Sequence, residues 1–181
     1  MKAKSQFVEL PVATADGEFS ARYSEQGLAE LHFPKSHRRR RGNESLIAPA
    51  AGALVRASSR RLLQDNIHHW HRTTSAALKA ILAGRKPKAF PPLDMTGTAF
   101  QKSVWQALQK IALGRTQSYG EIAAAIGRPR AVRAVGGACG ANPIPVLVPC
   151  HRVLAANRKL GGFSGGLDWK RSLLKREAVI I

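Results

Sequence analysis

The stretch Ser118–Val153, SYGEIAAAIGRPRAVRAVGGACGANPIPVLVPCHRV, decides the reading of this chain. Ser118 and Glu121 stand three apart ahead of an apolar run. That is the spacing of a capping box, in which the hydroxyl accepts from a backbone N–H and the carboxylate reaches back. A helix therefore starts here, turns Ile122, Ala123 and Ile126 inward and stops at Gly127, ahead of Arg128-Pro129-Arg130. Residues 131–141 restart as a helix. Helix, short Gly/Pro turn, helix is the helix-turn-helix pattern, and many such hairpins bind nothing.

The second of these helices has little bulk: Ala131, Ala134, Gly136, Gly137, Ala138 and Gly140, with Arg133 projecting among them. Glycine weakens a helix, so its neighbour must come close to the backbone. From composition alone, a packed helix explains this better than a ligand. The β-branched segment 142–149, running from Asn142 to Pro149, is expected to be extended and to deliver Cys150-His151-Arg152-Val153. Positive charge or a base beside a thiol lowers its pKa, which marks Cys150 as a candidate nucleophile. Neighbours in an extended segment face opposite ways, so adjacency does not put His151 on the thiol; a bridging water is the expected link. Cys139 reads as a small buried hydrophobe. Residues 167–177 read as a helix, with Glu177 either orienting an imidazole or paired at the surface within Lys175-Arg176-Glu177.

Outward from this core, Thr98 and Gln101 form a second capping box, followed by an apolar face of Phe100, Val104, Trp105, Leu108 and Ile111. Residues 86–94, KPKAFPPLD, read as a Pro-rich linker, placing a boundary near 85–96. Helical content is expected at 50–63 and 66–82, ending at Gly84. Alternation at 7–12, 19–23 and 28–33, punctuated by Asp16-Gly17 and Gln26-Gly27, predicts a small antiparallel meander. Residues 35–45, KSHRRRRGNES, hold four consecutive arginines, Arg38 to Arg41, and read as a charged loop.

Of 181 residues, 29 are Lys or Arg and 11 Asp or Glu, a net charge of +18, which calls for a polyanionic partner. Nucleic acid comes first and an anionic membrane surface second. Hydrophobic residues at 44% exclude a disordered basic tail. Two cysteines without CxxC spacing exclude a disulfide scaffold, so a reducing cytoplasm is expected. No apolar h-region follows the basic start and no run is long enough to span a bilayer, so a soluble protein is expected.

Residues 98–178, through the two capping boxes, Pro149-Cys150-His151-Arg152-Val153 and the glycine-rich loop 161–166, resemble the catalytic domain of O6-alkylguanine-DNA alkyltransferases. Residues 1–90 resemble the family's N-terminal domain in order and length. The resemblance implies an α+β chain: an RNase H-like strand-and-helix domain over 1–90 and a mainly helical, winged-helix-like catalytic domain over 96–181. It implies that Cys150 takes the alkyl group from O6 of a flipped-out guanine in one irreversible displacement. His151 is then the water-mediated base, Glu177 its partner, and Asn142 the brace of the turn. Tyr119 aids base rotation, and Arg133 fills the vacated stack. Ala131, Ala134, Gly136 and Arg128 belong to the DNA face. The backbone of Cys150 and Val153 reads the guanine, Ser164 donates to O6, and Phe163, Pro145 and Gly165 flank the substituent. Phe163 stands where the family often has tyrosine.

The implied partner is double-stranded DNA carrying O6-alkylguanine, with O4-alkylthymine left open, acted on by a cytoplasmic monomer without cofactor. The first domain has no cysteine, so the cysteine-containing zinc site of some relatives does not transfer. His68, His69 and His71 lack a third anionic ligand and read as a polar helix surface. Three other readings compete. A lesion-binding protein without activity lacks the acceptor cysteine, which is present here. A sequence-reading regulator needs polar base-reading side chains on its second helix, and Gly136, Gly137, Ala138 and Gly140 offer none. A cysteine hydrolase needs an oxyanion-hole motif, and none is evident.

Overall fold

The alternating first third folds into a three-stranded antiparallel sheet, β1 (Val8–Thr14), β2 (Gly17–Tyr23) and β3 (Leu28–His32), in that spatial order. The computed structural model describes residues 7–34 and 57–180. The Arg38–Arg41 loop lies outside the described residues, as do residues 50–56. Phe19, Ala21 and Tyr23 of β2, with Leu28 and Leu31 of β3, turn one face of the sheet inward.

The two helical segments expected at 50–63 and 66–82 are, over the described residues, one helix, α1 (Ala57–Leu82). Gln64 and Asp65 interrupt only the apolar pattern, and neither breaks a helix. Ile67, Thr74, Ala77, Leu78, Ile81 and Leu82 form its buried stripe. Gly84, at φ 67°, ends it, and the N–H of Arg85 returns to the Ala80 carbonyl at 2.9 Å.

The Pro-rich segment is docked rather than free. Leu28 N–H donates to Pro92 O at 2.8 Å and Asp94 N–H to Leu28 O at 2.9 Å, so 92–94 runs parallel to the edge strand β3. The Ser24 hydroxyl donates to the Asp94 carboxylate at 2.6 Å. Proline lacks the N–H, but its carbonyl still accepts, and this suits it to an edge.

Both predicted capping boxes form, at Thr98 for α2 (Ala99–Gln109) and at Ser118 for α3 (Tyr119–Ala125). α3 ends in a Schellman motif: Gly127 N–H bonds Ala124 O and Arg128 N–H bonds Ala123 O, both at 2.9 Å. This turn sends the chain into α4 (Val132–Gly140), which lacks a side-chain cap. Trp105 of α2, buried, donates its indole N–H to Ala138 O at 2.9 Å and fixes α4 from behind. A short parallel pair, β4 (Gln117–Ser118) with β5 (Val153–Leu154), ties the entry of the helix-turn-helix to the chain just past Cys150. α5 (Leu167–Arg176) closes the fold.

One buried cluster runs through both halves. Phe33 is central to the contact: its ring lies 5.0 Å from Trp169 and 5.6 Å from Phe163, centroid to centroid. Leu31 N–H also donates to Pro143 O at 2.9 Å, so the sheet touches the loop that carries the cysteine. Arg176 of α5 forks onto the Asp16 carboxylate of the β1–β2 turn at 2.6 and 2.7 Å and donates to Leu82 O at 2.8 Å.

Candidate active site and nucleic-acid interface

Residues 142–149 are a tight loop, not the extended segment their β-branched content suggests. The Asn142 side chain is the reason: its amide nitrogen donates to Val148 O at 2.8 Å, and its oxygen accepts from Ile144 N–H at 3.1 Å. Val146 is left at φ 75°, an uncommon conformation for a β-branched residue, held by complete burial. Cys150–Arg152 then form one 3-10 turn. Asn142 does more than brace the turn, since its amide also donates to Cys150 Sγ at 3.1 Å.

Cys150 is 4% exposed, and burial pushes its thiol up from the ordinary value, against the Asn142 hydrogen bond and the charge of Lys170. The expectation of a thiol lowered by its sequence neighbours is thereby reversed in the resting protein. Desolvation disfavours the thiolate, and the Arg152 guanidinium is committed elsewhere. Arg152 donates from Nε and Nη2 to the two oxygens of Glu177, each at 2.9 Å, and from Nη1 to Ile111 O at 2.6 Å.

Glu177 is therefore not a surface partner within its own helix. It is buried at the C-cap of α5, accepting from Arg152, from Gly114 N–H at 3.3 Å and from His151 Nε2 at 2.9 Å. Burial raises its pKa, but the hydrogen bonds from His151 and Arg152 prevail and hold it at about 2. His151 is fully buried, and desolvation lowers its pKa against the pull of Glu177. The pair is thus neutral imidazole and carboxylate. With Nε2–H donating to Glu177, Nδ1 carries the lone pair, and that atom has no protein hydrogen-bond partner. It is a base without a proton to take from any protein group in reach.

No sequence motif points to Lys170. It is completely buried, donating from Nζ to Val153 O at 2.7 Å, to Leu160 O and to Gly162 O at 3.3 Å. Burial lowers its pKa, against the two cysteines, which raise it. A lysine three and four residues before the buried Leu173 and Leu174 stands on the apolar stripe of α5, and that position was the available signal.

In front of Cys150 lies a cavity of about 590 Å³, lined by Tyr119, Arg133, Gly136, Cys139, Phe163 and Ser164 among others. Three of the residues expected around the substituent lie off this lining. Gly165 faces Phe33, whose ring would sit 2.5 Å from an added Cβ; Pro145 and Val153 are buried in the loop and in β5. Tyr119 is half-buried, its hydroxyl 3.0 Å from where a Cβ on Gly161 would stand, so that glycine makes room for the ring.

α4 buries Val135, Ala138 and Cys139 and exposes Val132, Arg133, Ala134, Gly137 and Gly140. A Cβ added at Gly137 or Gly140 would meet nothing within 4 Å. The packing explanation for these two glycines fails among the described residues, none of which lies within 4 Å of an added Cβ at either position. Ala131 is the N-cap of α4, and Arg128 is exposed in the turn. On α1, His71 Nδ1 lies 3.2 Å from the Tyr23 hydroxyl, and among the described residues no group of three metal-binding side chains occurs.

A buried thiol with a donor at the sulfur, a histidine–glutamate pair behind it and a helix-turn-helix in front set a candidate nucleophile against a motif that elsewhere binds nucleic acid. Residues 99–179 match the family model "6-O-methylguanine DNA methyltransferase, DNA binding domain". Over 88 residues the chain is 54% identical to the methylated-DNA–protein-cysteine methyltransferase of Haemophilus influenzae, 49% of each chain. Over 106 residues it is 53% identical to the protein of that name in Methanosarcina acetivorans, covering 59% of this chain and 68% of the relative. The crystal structure of Mycobacterium tuberculosis OGT in complex with DNA superposes with a TM-score of 0.69 at 35% identity, covering 92% of this chain and 90% of that one. The chain belongs to the O6-methylguanine-DNA methyltransferase family. The sequence match spans about half the length of the Haemophilus relative.

Proposed function

We propose that this chain repairs double-stranded DNA by transferring the alkyl group of O6-alkylguanine to Cys150, once per molecule. One observation carries the reading: a single cavity joins the thiol to Tyr119 of α3 and Arg133 of α4. A base inside a stack cannot present its O6 substituent to a sulfur, so the nucleotide must leave the helix. The exposed, side-chain-free face at Gly137 and Gly140 fits a minor groove, and Arg133 is placed to occupy the vacated stack. Ala131, Ala134, Gly136 and Arg128 complete that face.

In the chemical step the Cys150 proton passes to His151 Nδ1 through a water, because no direct contact joins them. The imidazolium is stabilised by Glu177, and Asn142 donates to the sulfur as it becomes anionic. Sulfur forms a bond to the alkyl carbon while the bond from that carbon to O6 breaks. The guanine anion takes up a proton from water, balanced by the one that His151 releases to solvent, with Tyr119 hydrogen-bonded to the extruded base and Ser164 donating to O6. The product thioether is inert, and Cys139 is itself buried with its thiol pushed up to about 12, so it does not reverse the reaction.

The sheet and α1, within 1–90, form the RNase H-like unit, and 96–181 the winged-helix-like catalytic unit. The protein acts as a cytoplasmic monomer without cofactor, and O4-alkylthymine is a second substrate to be tested. No helix among the described residues is long and apolar enough to cross a membrane. Intact-mass analysis after mixing with an O6-methylguanine duplex tests the reading. The expected protein is one methylene unit heavier, modified at Cys150, with product capped at one equivalent. Unmodified protein beside unrepaired DNA overturns it.

A further inference from the structure

We propose that the groove between α1 and the segment 85–89 is a second polyanion-binding surface, occupied by the phosphate backbone of DNA away from the lesion. The proposal rests on the repair reading for the identity of its partner. Along α1, His69, Arg72, Thr73, Ala76 and Ala80 recur at helical spacing and form one wall. Arg85, Lys86 and Lys88 form the other, around a space of about 490 Å³. It shares no residue with the cavity at Cys150.

The lining holds four permanent cations and no carboxylate. None of the four takes part in an ion pair among the described residues, whereas Arg22, Arg152, Arg171 and Arg176 each do. Unpaired like charges gathered on one face repel and concentrate counterions, which a phosphate chain displaces favourably. The helix end nearby does not oppose this. Its last carbonyls are taken up by the N–H groups of Gly84 and Arg85 and by Arg176, so no bare negative terminus faces the groove. The apolar floor is made of Ala76, Ala77, Ala80 and Ala89, which lets a rod approach closely. The same floor has no large apolar side chain to anchor a peptide or enter a bilayer.

The test uses the full chain with Arg72, Arg85 and Lys88 all changed to Gln, beside a charge-matched control with Arg61, Lys102 and Lys175 changed to Gln. All six side chains are exposed, so both variants should melt with the wild type. Affinity for a long undamaged duplex is measured by anisotropy across a salt series. Each lost phosphate contact removes about 0.9 from the slope of log K against log salt, so the groove variant should fall by about 2 to 3 and the control by less than about 1. Transfer from free O6-benzylguanine should be equal in all three proteins. An unchanged slope, or an equal fall in the control, overturns the proposal. So does loss of binding to anionic phosphatidylserine vesicles with the DNA slope intact, which assigns the groove to a membrane. Absence of transfer in the wild type would sink the repair reading instead, while the slopes still decide the groove.

Discussion

Behind Cys150 every buried side-chain polar group but one has a partner among the described residues; in front of it, the outer face of α4 is bare. Glu177 accepts four hydrogen bonds and Lys170 reaches three carbonyls, and both of these side chains are buried. Gly137 and Gly140, on the outer face of α4, meet no described atom within 4 Å of an added Cβ. The back of the site is complete in the free protein, so its electrostatics need no rearrangement when a base arrives. The front is the face that the proposed DNA partner would cover. The one exception behind the thiol, Nδ1 of His151, is the atom that the proposed chemistry needs unoccupied by protein.

The sharpest way to break this contrast is to open the back. Glu177→Ala should cost about 3–5 kcal/mol in urea unfolding, because the buried Arg152 guanidinium loses its counter-charge. Glu177→Gln keeps the shape and separates chemistry from folding. Without the carboxylate His151 is a weaker base, so the pH dependence of Cys150 alkylation should move to higher pH, and an unmoved profile removes Glu177 from the relay. Glu177 also sets the acid response. Its folded pKa of about 2 lies below the ordinary 4.5, so its stabilisation is full above pH 4.5 and is lost as pH falls towards 2. His151, lowered from 6.5, works in the same direction, since the unfolded chain takes up that proton first. Melting temperatures of the wild type should therefore decline from about pH 6.5 downward, and Glu177→Gln should lose the part below pH 4.5.

A smaller effect belongs to Gly165, which belongs with the packed side although it neighbours Ser164 on the cavity wall. Gly165→Trp must displace the Phe33 ring, and overpacking of this kind costs about 1–3 kcal/mol. Reaction with O6-methylguanine and with O6-benzylguanine should fall together, as the Phe33–Phe163 contact shifts. Selective loss of the benzyl reaction would return Gly165 to the substituent pocket. The wild type should accept both, given a cavity of about 590 Å³ with Phe163 in its wall.

Local rules made much of this legible in advance. The two capping boxes, the Gly127 stop and the alternating strands are set by residues within a turn of one another, and all form. Motif and resemblance point to Cys150, His151, Asn142 and Tyr119, and the structure sets Asn142 on the Cys150 sulfur and Tyr119 on the same cavity. What escaped depends on distant chain. The thiol's raised pKa comes from burial by the whole domain, and two neighbouring basic residues could not reveal it. The fold of 142–149 follows one amide reaching three partners, which overrides a β-branched composition. Gly165 and Gly137 look alike in sequence. Only the placement of Phe33, well over a hundred residues before Gly165, tells a glycine that packing requires from one that it does not.

The smallest expected effect in stability is the most specific for the front of the site, and its sign is positive. Gly137 lies inside α4 with helical geometry and open space where a Cβ would stand. Glycine in a helix interior is less favourable than alanine by roughly 0.5–1 kcal/mol, so Gly137→Ala should stabilise the free protein by about that much. A glycine kept for the fold would not behave so. If the face enters a minor groove, the added methyl group holds the helix away from the DNA, and repair of an O6-methylguanine duplex should slow. Transfer from free O6-benzylguanine, which needs no groove, should be unchanged. A variant that is both more stable and as fast on duplex as the wild type would show that the open face of α4 does not enter the groove.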